Sequence, residues 1–192
     1  MILYLHGFRS SPDSFKARLV GQRMAALERA GELVCPQLPA SPQEAIALAL
    51  AHVDGVPSAE LAIIGSSLGG YYATWLAERL GCRAVLLNPA ITPLASLERY
   101  VGVTTGWHSG APFEFKRAYI DELGALATPH ITRPDRYFLL AASGDEVLDY
   151  RAMVAHYAGA RQHVIEGSDH GISEFADYVD DVLAFCLPKA AR

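Results

Sequence analysis

The chain predicts a three-layer α/β fold, a mostly parallel sheet with helices on both faces, and three observations lead there. Short apolar runs (Ile2 to Leu5, Leu61 to Ile64, Ala84 to Leu87, Tyr137 to Ala142) alternate with amphipathic stretches. Strands separated by helix-length segments run parallel, because the crossover returns the chain to the end of the sheet it left. The runs are apolar throughout, the pattern of strands covered on both faces. At 192 residues the chain also fits one domain with a sizeable core, spanning 1–192.

The elements follow in order. Ile2 to Leu5 is a buried strand ending in His6-Gly7, and a polar loop with Ser10-Ser11-Pro12 comes next. Phe15 to Arg29 carries Leu19, Val20, Met24 and Leu27 at roughly helical spacing. Leu33 to Cys35 is a short strand closed by Pro36 and Pro39. Ser41-Pro42 with Glu44 opens a second helix: Ser caps, Pro suits the first turn and Glu44 completes a capping box. Leu61 to Ile64 is a strand ending at Gly65, Leu68 to Leu80 a helix stopped by Gly81, and Ala84 to Leu87 the next strand. Tyr137 to Ala142 is a strand, Asp149 to Tyr157 a helix and His163 to Ile165 a last short strand. Ser173 to Leu187 is a closing helix stopped by Pro188.

Between Pro89 and Pro134 the rhythm breaks. About forty residues run without a clear strand, longer than an ordinary connection. This stretch, residues 92–133, is aromatic and inserted late in the sheet. It is either a lid over a site or a surface excursion with a helix or two.

Composition closes off several classes. With 51% hydrophobic and 19% charged residues the chain is too apolar for disorder. A formal charge of −5 and scattered basic residues argue against nucleic-acid partners and anionic membranes. Cys35, Cys82 and Cys186 lack the spacing of a zinc site or a disulfide framework and read as small buried hydrophobes. No basic n-region with a cleavage signal precedes ILYLHG, and no apolar stretch approaches the ~20 residues of a membrane span. The expectation is a soluble cytoplasmic protein. No phosphate loop, dinucleotide fingerprint or metal-ligand cluster is present in the sequence, so no metal and no cofactor is expected.

The chemistry is carried by Gly65-Ser66-Ser67-Leu68-Gly69, a G-x-S-x-G pattern that follows an apolar strand and opens a helix. A serine hydroxyl is a poor nucleophile and must project from a sharp strand-to-helix turn toward a base. Glycines two residues to either side relieve the crowding of that turn. Ser67 has them and Ser66 does not, so Ser67 is the candidate nucleophile. One oxyanion donor is then the backbone N–H of Leu68, at a helix start that favours negative charge. The other comes from the loop after the first strand, where Gly7 permits a turn that aims the Phe8 amide. His6, at that strand end, reads as a residue holding the loop, although it could be taken for a base. His170, in Gly167-Ser168-Asp169-His170-Gly171 after the last strand, is the candidate base. Asp145, at the carboxyl end of the penultimate strand, is the candidate acid, in the chain order Ser–acid–His. Asp149 reads more naturally as a helix cap, and Asp169 as too close in sequence to reach the His170 ring.

LYLHGF, PQLP, GSSLGGYYATWLA, LNPA, GDEVLDYR, Y-x-x-x-R-Q-x-VIEG and the following DHG together resemble the YqiA-type esterases, a family of small α/β-hydrolases. The resemblance covers nearly the whole chain. It implies the three-layer α/β-hydrolase fold, trimmed at the N-terminus relative to larger relatives. It also implies hydrolysis of carboxylic esters, extending to acyl-CoA thioesters, without a cofactor. Mapped residue by residue, it puts the nucleophile at Ser67, the acid at Asp145 and the base at His170, and gives Asp169 no catalytic role. The partner is a small-molecule acyl ester or thioester, with no nucleic acid and no membrane insertion. Trp107 and Phe113, from their place in the insertion, are expected to face an acyl chain, and Tyr71 with Tyr72 either lines the pocket or packs beneath it. A small-ligand binding protein on the same fold is the competing class, and other carbonyl chemistry a third. A pure binder has no need of nucleophile, acid, base and both oxyanion positions in order.

Overall fold

The computed structural model describes residues 1–105, 110 and 112–187. Six strands form one sheet: β1 (Ile2–Leu5), β2 (Leu33–Val34), β3 (Ala62–Ser66), β4 (Arg83–Leu87), β7 (Tyr137–Ala142) and β8 (Arg161–Ile165). Their order is β2-β1-β3-β4-β7-β8, and every neighbouring pair is parallel. All carboxyl ends therefore meet one edge, and the order reverses direction at β1.

Alternate residues of each strand face opposite layers, which is why the inner strands β1, β3, β4 and β7 are largely apolar, whereas the edge strand β8, Arg161 to Ile165, is polar over its first three residues. Leu3, Leu5, Ile63, Leu86 and Leu139 pack against α2 (Pro42–Val53), α3 (Leu68–Leu80) and α6 (Tyr150–His156). Ile2, Tyr4, Ile64, Val85 and Phe138 pack against α1 (Phe15–Ala26) and α7 (Val179–Cys186). The expected three layers are present. Cys82 and Cys186 are buried and all three thiols are free.

Local chemistry sets the ends. The Ser41 side chain accepts from the Glu44 N–H at 3.2 Å, so α2 starts where the Ser-Pro pair places it. α3 stops at Gly81, which is left-handed at φ 72°. Asp149 caps α6 by accepting from the Arg151 N–H at 2.9 Å. α1 ends earlier than its periodicity suggests. Glu28 turns left-handed at φ 59°, Glu28 N–H bonds Ala25 O and Arg29 N–H bonds Met24 O, a Schellman cap without the usual glycine. The closing segment also departs from one continuous helix: a short 3-10 turn, Phe175–Asp177, precedes α7.

The stretch read as lacking strands holds a hairpin. α4 (Pro93–Glu98) is followed by β5 (Gly102–Thr105) and β6 (Pro112–Phe115), an antiparallel pair outside the main sheet, and then α5 (Ala118–Ala125). β6 begins with proline, tolerable on an edge, and alternates exposed Pro112 and Glu114 with inward Phe113 and Phe115. Glu122 of α5 ties the insertion to α2, accepting from Ser41 Oγ at 2.6 Å and Gln43 N–H at 3.0 Å. Among the described residues no helix is long and apolar enough to cross a membrane.

Candidate active site

Ser67 sits between β3 and α3 with φ 55° and ψ −120°, a conformation that non-glycine residues adopt only under constraint. The constraint is visible. Ser67 N–H bonds Leu87 O at 3.0 Å, and Ser67 O accepts from the N–H groups of Gly70 and Ala90 at 2.9 and 3.0 Å. The flanking glycines are required by close approach of backbone to backbone. A Cβ on Gly65 would lie 2.4 Å from Gly69 O, and one on Gly69 would lie 2.0 Å from Leu5 O.

Three strand ends bring the sequence-selected side chains together. His170, in the loop after β8, places Nε2 3.1 Å from Ser67 Oγ. Its Nδ1 lies 2.7 Å from Oδ2 of Asp145, which follows β7 and has a fully buried side chain. The other oxygen, Oδ1, accepts from the N–H groups of Val147 and Leu148 at 2.8 and 2.9 Å. A carboxylate only accepts, so the imidazole donates from Nδ1 and presents a bare Nε2 to the serine.

Gly7 passes directly over Ser67: a Cβ there would meet Ser67 Cβ at 3.2 Å. His6 fixes this loop and takes no part in the Ser67–His170–Asp145 chain. Its Nε2 accepts from Leu38 N–H at 3.0 Å, which leaves Nδ1 to donate to Gly7 O, also at 3.0 Å. Ser10 N–H bonds the same oxygen at 3.2 Å. In a planar trans peptide, anchoring the Gly7 oxygen fixes the direction of the Phe8 N–H. Leu68 opens α3 immediately after Ser67, so its N–H belongs to the first turn of that helix.

A cavity of about 940 Å³ opens over these groups. Phe8, Phe15, Leu97, Tyr100, Val147 and Leu148 give it apolar walls, with α4 of the insertion supplying one side. Arg9, Lys16, Arg99 and Glu146 are its charged lining. Burial lowers the Lys16 ammonium to about 8, while the Asp169 and Asp145 carboxylates act against that shift.

Of the expected substrate-contacting residues, Phe113 and Tyr71 do not line the large cavity. Phe113 packs edge-on against the Phe8 ring at 5.3 Å between centroids and lines a separate space of about 20 Å³ behind the loop. Phe115 and Tyr100 complete the ring cluster around Phe8. Tyr71 is buried in the core with its hydroxyl donating to Leu123 O at 2.8 Å, so it packs beneath the site. Trp107 lies outside the described residues. Asp169 accepts from Ser173 N–H and Oγ, bonds that hold its carboxyl below the usual range.

Sequence reasoning passed over three residues at the site. Glu146 accepts the His170 N–H at 3.0 Å, Asn88 donates to Asp169 O and His170 O, and Lys16 donates to Gly171 O. The available signal was position: Glu146 and Asn88 each follow a strand at the edge where the site loops gather. Among the described residues no group of three His, Cys, Asp or Glu could hold a metal ion.

The model of the uncharacterised protein family UPF0227 matches residues 1–187. Among solved structures, a protein from Agrobacterium vitis S4 is similar with a TM-score of 0.75 at 19% identity, over 96% of this chain and 87% of that one. Mouse alpha/beta hydrolase domain-containing protein 10 gives 0.71 at 17%, over 95% and 89%. Est1E from Butyrivibrio proteoclasticus, solved with ferulic acid bound, gives 0.68 at 14%, over 95% and 87%. At such identities the likeness establishes the α/β-hydrolase fold.

Proposed function

We propose, from the premise that the chain belongs to the uncharacterised protein family UPF0227, the YqiA family, that it is a serine hydrolase of carboxylic esters. The observation that carries this reading is the unbroken chain Ser67 Oγ–His170–Asp145, at 3.1 and 2.7 Å, opening into the large cavity. Est1E, a neighbour in fold, was solved with ferulic acid bound, and a carboxylic acid is the product that hydrolysis of an ester would leave.

Ser67 Oγ attacks the ester carbonyl while His170 Nε2 takes its proton. Asp145 stabilises the imidazolium, and the N–H groups of Phe8 and Leu68 receive the developing oxyanion. Collapse of the tetrahedral intermediate expels the alcohol, protonated by His170, and leaves Ser67 acylated. Water then gives a proton to His170 and attacks the acyl carbon. The second tetrahedral intermediate releases the carboxylic acid and returns the proton to Ser67. The apolar walls accept the acyl chain. A thioester follows the same course with a thiol leaving, so acyl-CoA thioesters belong to the proposed substrate class. The chemistry calls on no cofactor.

The test is hydrolysis of short and long p-nitrophenyl esters by wild type and Ser67→Ala, with fluorophosphonate labelling in parallel. Turnover and labelling are expected of wild type alone. Two folded, inert proteins would refute the reading and favour a small-ligand binder on this fold.

A further inference from the structure

The loop that carries His170 is held from below by two side chains outside the Ser67–His170–Asp145 chain. Asn88 follows β4, is fully buried and sits at φ 44°, a left-handed conformation asparagine tolerates. Its orientation is fixed by chemistry. Ala142 N–H can only donate and lies 2.7 Å away, so Oδ1 faces it. Nδ2 is then left to donate to Asp169 O at 3.1 Å and His170 O at 3.0 Å. Asn88 thus joins the end of β7, which leads to Asp145, to the loop bearing His170.

Lys16 reaches the same loop from α1. Its Nζ donates to Gly171 O at 2.8 Å and touches His170 O at 3.5 Å. The ammonium is buried, with 9% of the residue exposed. A buried ammonium is costly, and a shared pair of carbonyls is not the fullest compensation available to it. The loop needs such holding. Ile172, next in line, is buried with φ 52°, and a β-branched side chain in the left-handed region is strained. Three consecutive carbonyls, of residues 169, 170 and 171, are therefore tied to two donors that descend from separate elements.

We infer that Asn88 and Lys16 are positioning residues that clamp the backbone of residues 169–171 so that His170 bridges Asp145 and Ser67. The inference rests on the hydrolase reading for its kinetic consequence and on the structure alone for its geometric one. Loss of either donor lets the loop relax toward a less strained Ile172 and swings the imidazole off the serine. A displacement of about an ångström at a catalytic group costs on the order of a hundred-fold in rate.

The experiment uses Asn88→Asp, Lys16→Met and the two combined, alongside wild type and Ser67→Ala. Asn88→Asp keeps the acceptor for Ala142 and removes both donors; Lys16→Met keeps the apolar stem. Steady-state kinetics on p-nitrophenyl butyrate, thermal melting and the low-field proton resonance of His170 Nδ1–H are measured. Each single substitution is expected to lower kcat about ten- to a hundred-fold with KM within about two-fold, and to broaden or abolish the resonance. The combined variant should lose far less than the product of the two, because both act through one imidazole. Unchanged kcat and resonance with only a lower melting temperature would make the two residues plain structural pegs and overturn the inference. If wild type and Ser67→Ala are equally inert, the hydrolase reading fails, and the resonance alone still decides the clamp.

Discussion

Asp145→Asn tests the arrangement most sharply, because the structure dictates how the carboxamide must sit. The Asp145 carboxylate is used from both ends: Oδ1 takes two backbone N–H groups and Oδ2 takes the imidazole. In the variant, the single oxygen can serve only one end. Facing it to the backbone preserves two hydrogen bonds and turns the NH₂ toward His170 Nδ1, which must then accept. The ring proton moves to Nε2 and points at Ser67, so no base remains. The opposite orientation restores the base but sets an NH₂ against the N–H groups of Val147 and Leu148. Two donors set against an NH₂ in place of a carboxylate oxygen cost about 1–3 kcal/mol each, about 2–6 kcal/mol in all, so the competent form is populated at roughly 10⁻² to 10⁻⁴. The expected result is a fall in kcat of about 10²–10⁴ with KM and far-UV circular dichroism little changed. A matching loss in the rate of fluorophosphonate labelling should accompany it. Activity within about ten-fold of wild type, in a folded protein, would refute the tautomer argument and with it the role given to Asp145.

Other expectations follow from single contacts. Gly69→Ala would drive a Cβ to 2.0 Å from Leu5 O, backbone against backbone, and should cost at least about 3 kcal/mol in urea unfolding as well as most of the activity. A stable, active variant would show that α3 can slide off β1. Glu28→Gly relieves a left-handed glutamate in the α1 cap and should raise stability by about 0.5–1 kcal/mol, a melting shift of a few degrees at this chain length. Lys16 predicts a pH effect. Its pKa falls from 10.5 to about 8 on folding, so between those values the unfolded state binds more protons and stability rises with pH. The rise attributable to Lys16 is on the order of 3 kcal/mol. Buried tyrosines such as Tyr4 and Tyr157, which burial keeps protonated, act oppositely at alkaline pH. The difference in unfolding free energy between wild type and Lys16→Met across that window isolates the lysine, and a constant difference would contradict the assignment.

Much of this fold was readable because its inner strands β1, β3 and β7 are buried on both faces. Leu68–Leu80 and Tyr137–Ala142 carry their own boundaries, in Gly81 for the helix and in the unbroken run YFLLAA for the strand. The α1 boundary was hidden because Glu28 occupies a cap position where a glycine would have announced the stop. The hairpin was hidden for a different reason. Its strands are four residues each, one opening on proline, and their inward side is defined by Phe8, a residue more than ninety positions away along the chain. Short edge strands take their identity from what they cover, and that partner is not local.

The same distinction separates the candidate site residues that sequence reasoning found from those it missed. Ser67, Asp145 and His170 stand in loops after strands and among glycines, and the chemistry of acyl transfer asks for their residue types in that chain order. Asn88 and Lys16 answer no such demand. Their work is to bind carbonyls of residues 169–171, and any donor of suitable length at those points in space could do it. Asparagine after a strand and lysine in a first helical turn are ordinary in sequence. They become specific only when folding brings β4, β7 and α1 under one loop. A candidate catalytic chain of three residues is therefore legible from chemistry, whereas the side chains proposed to hold it in register are legible only from where the backbone leaves carbonyls to be satisfied.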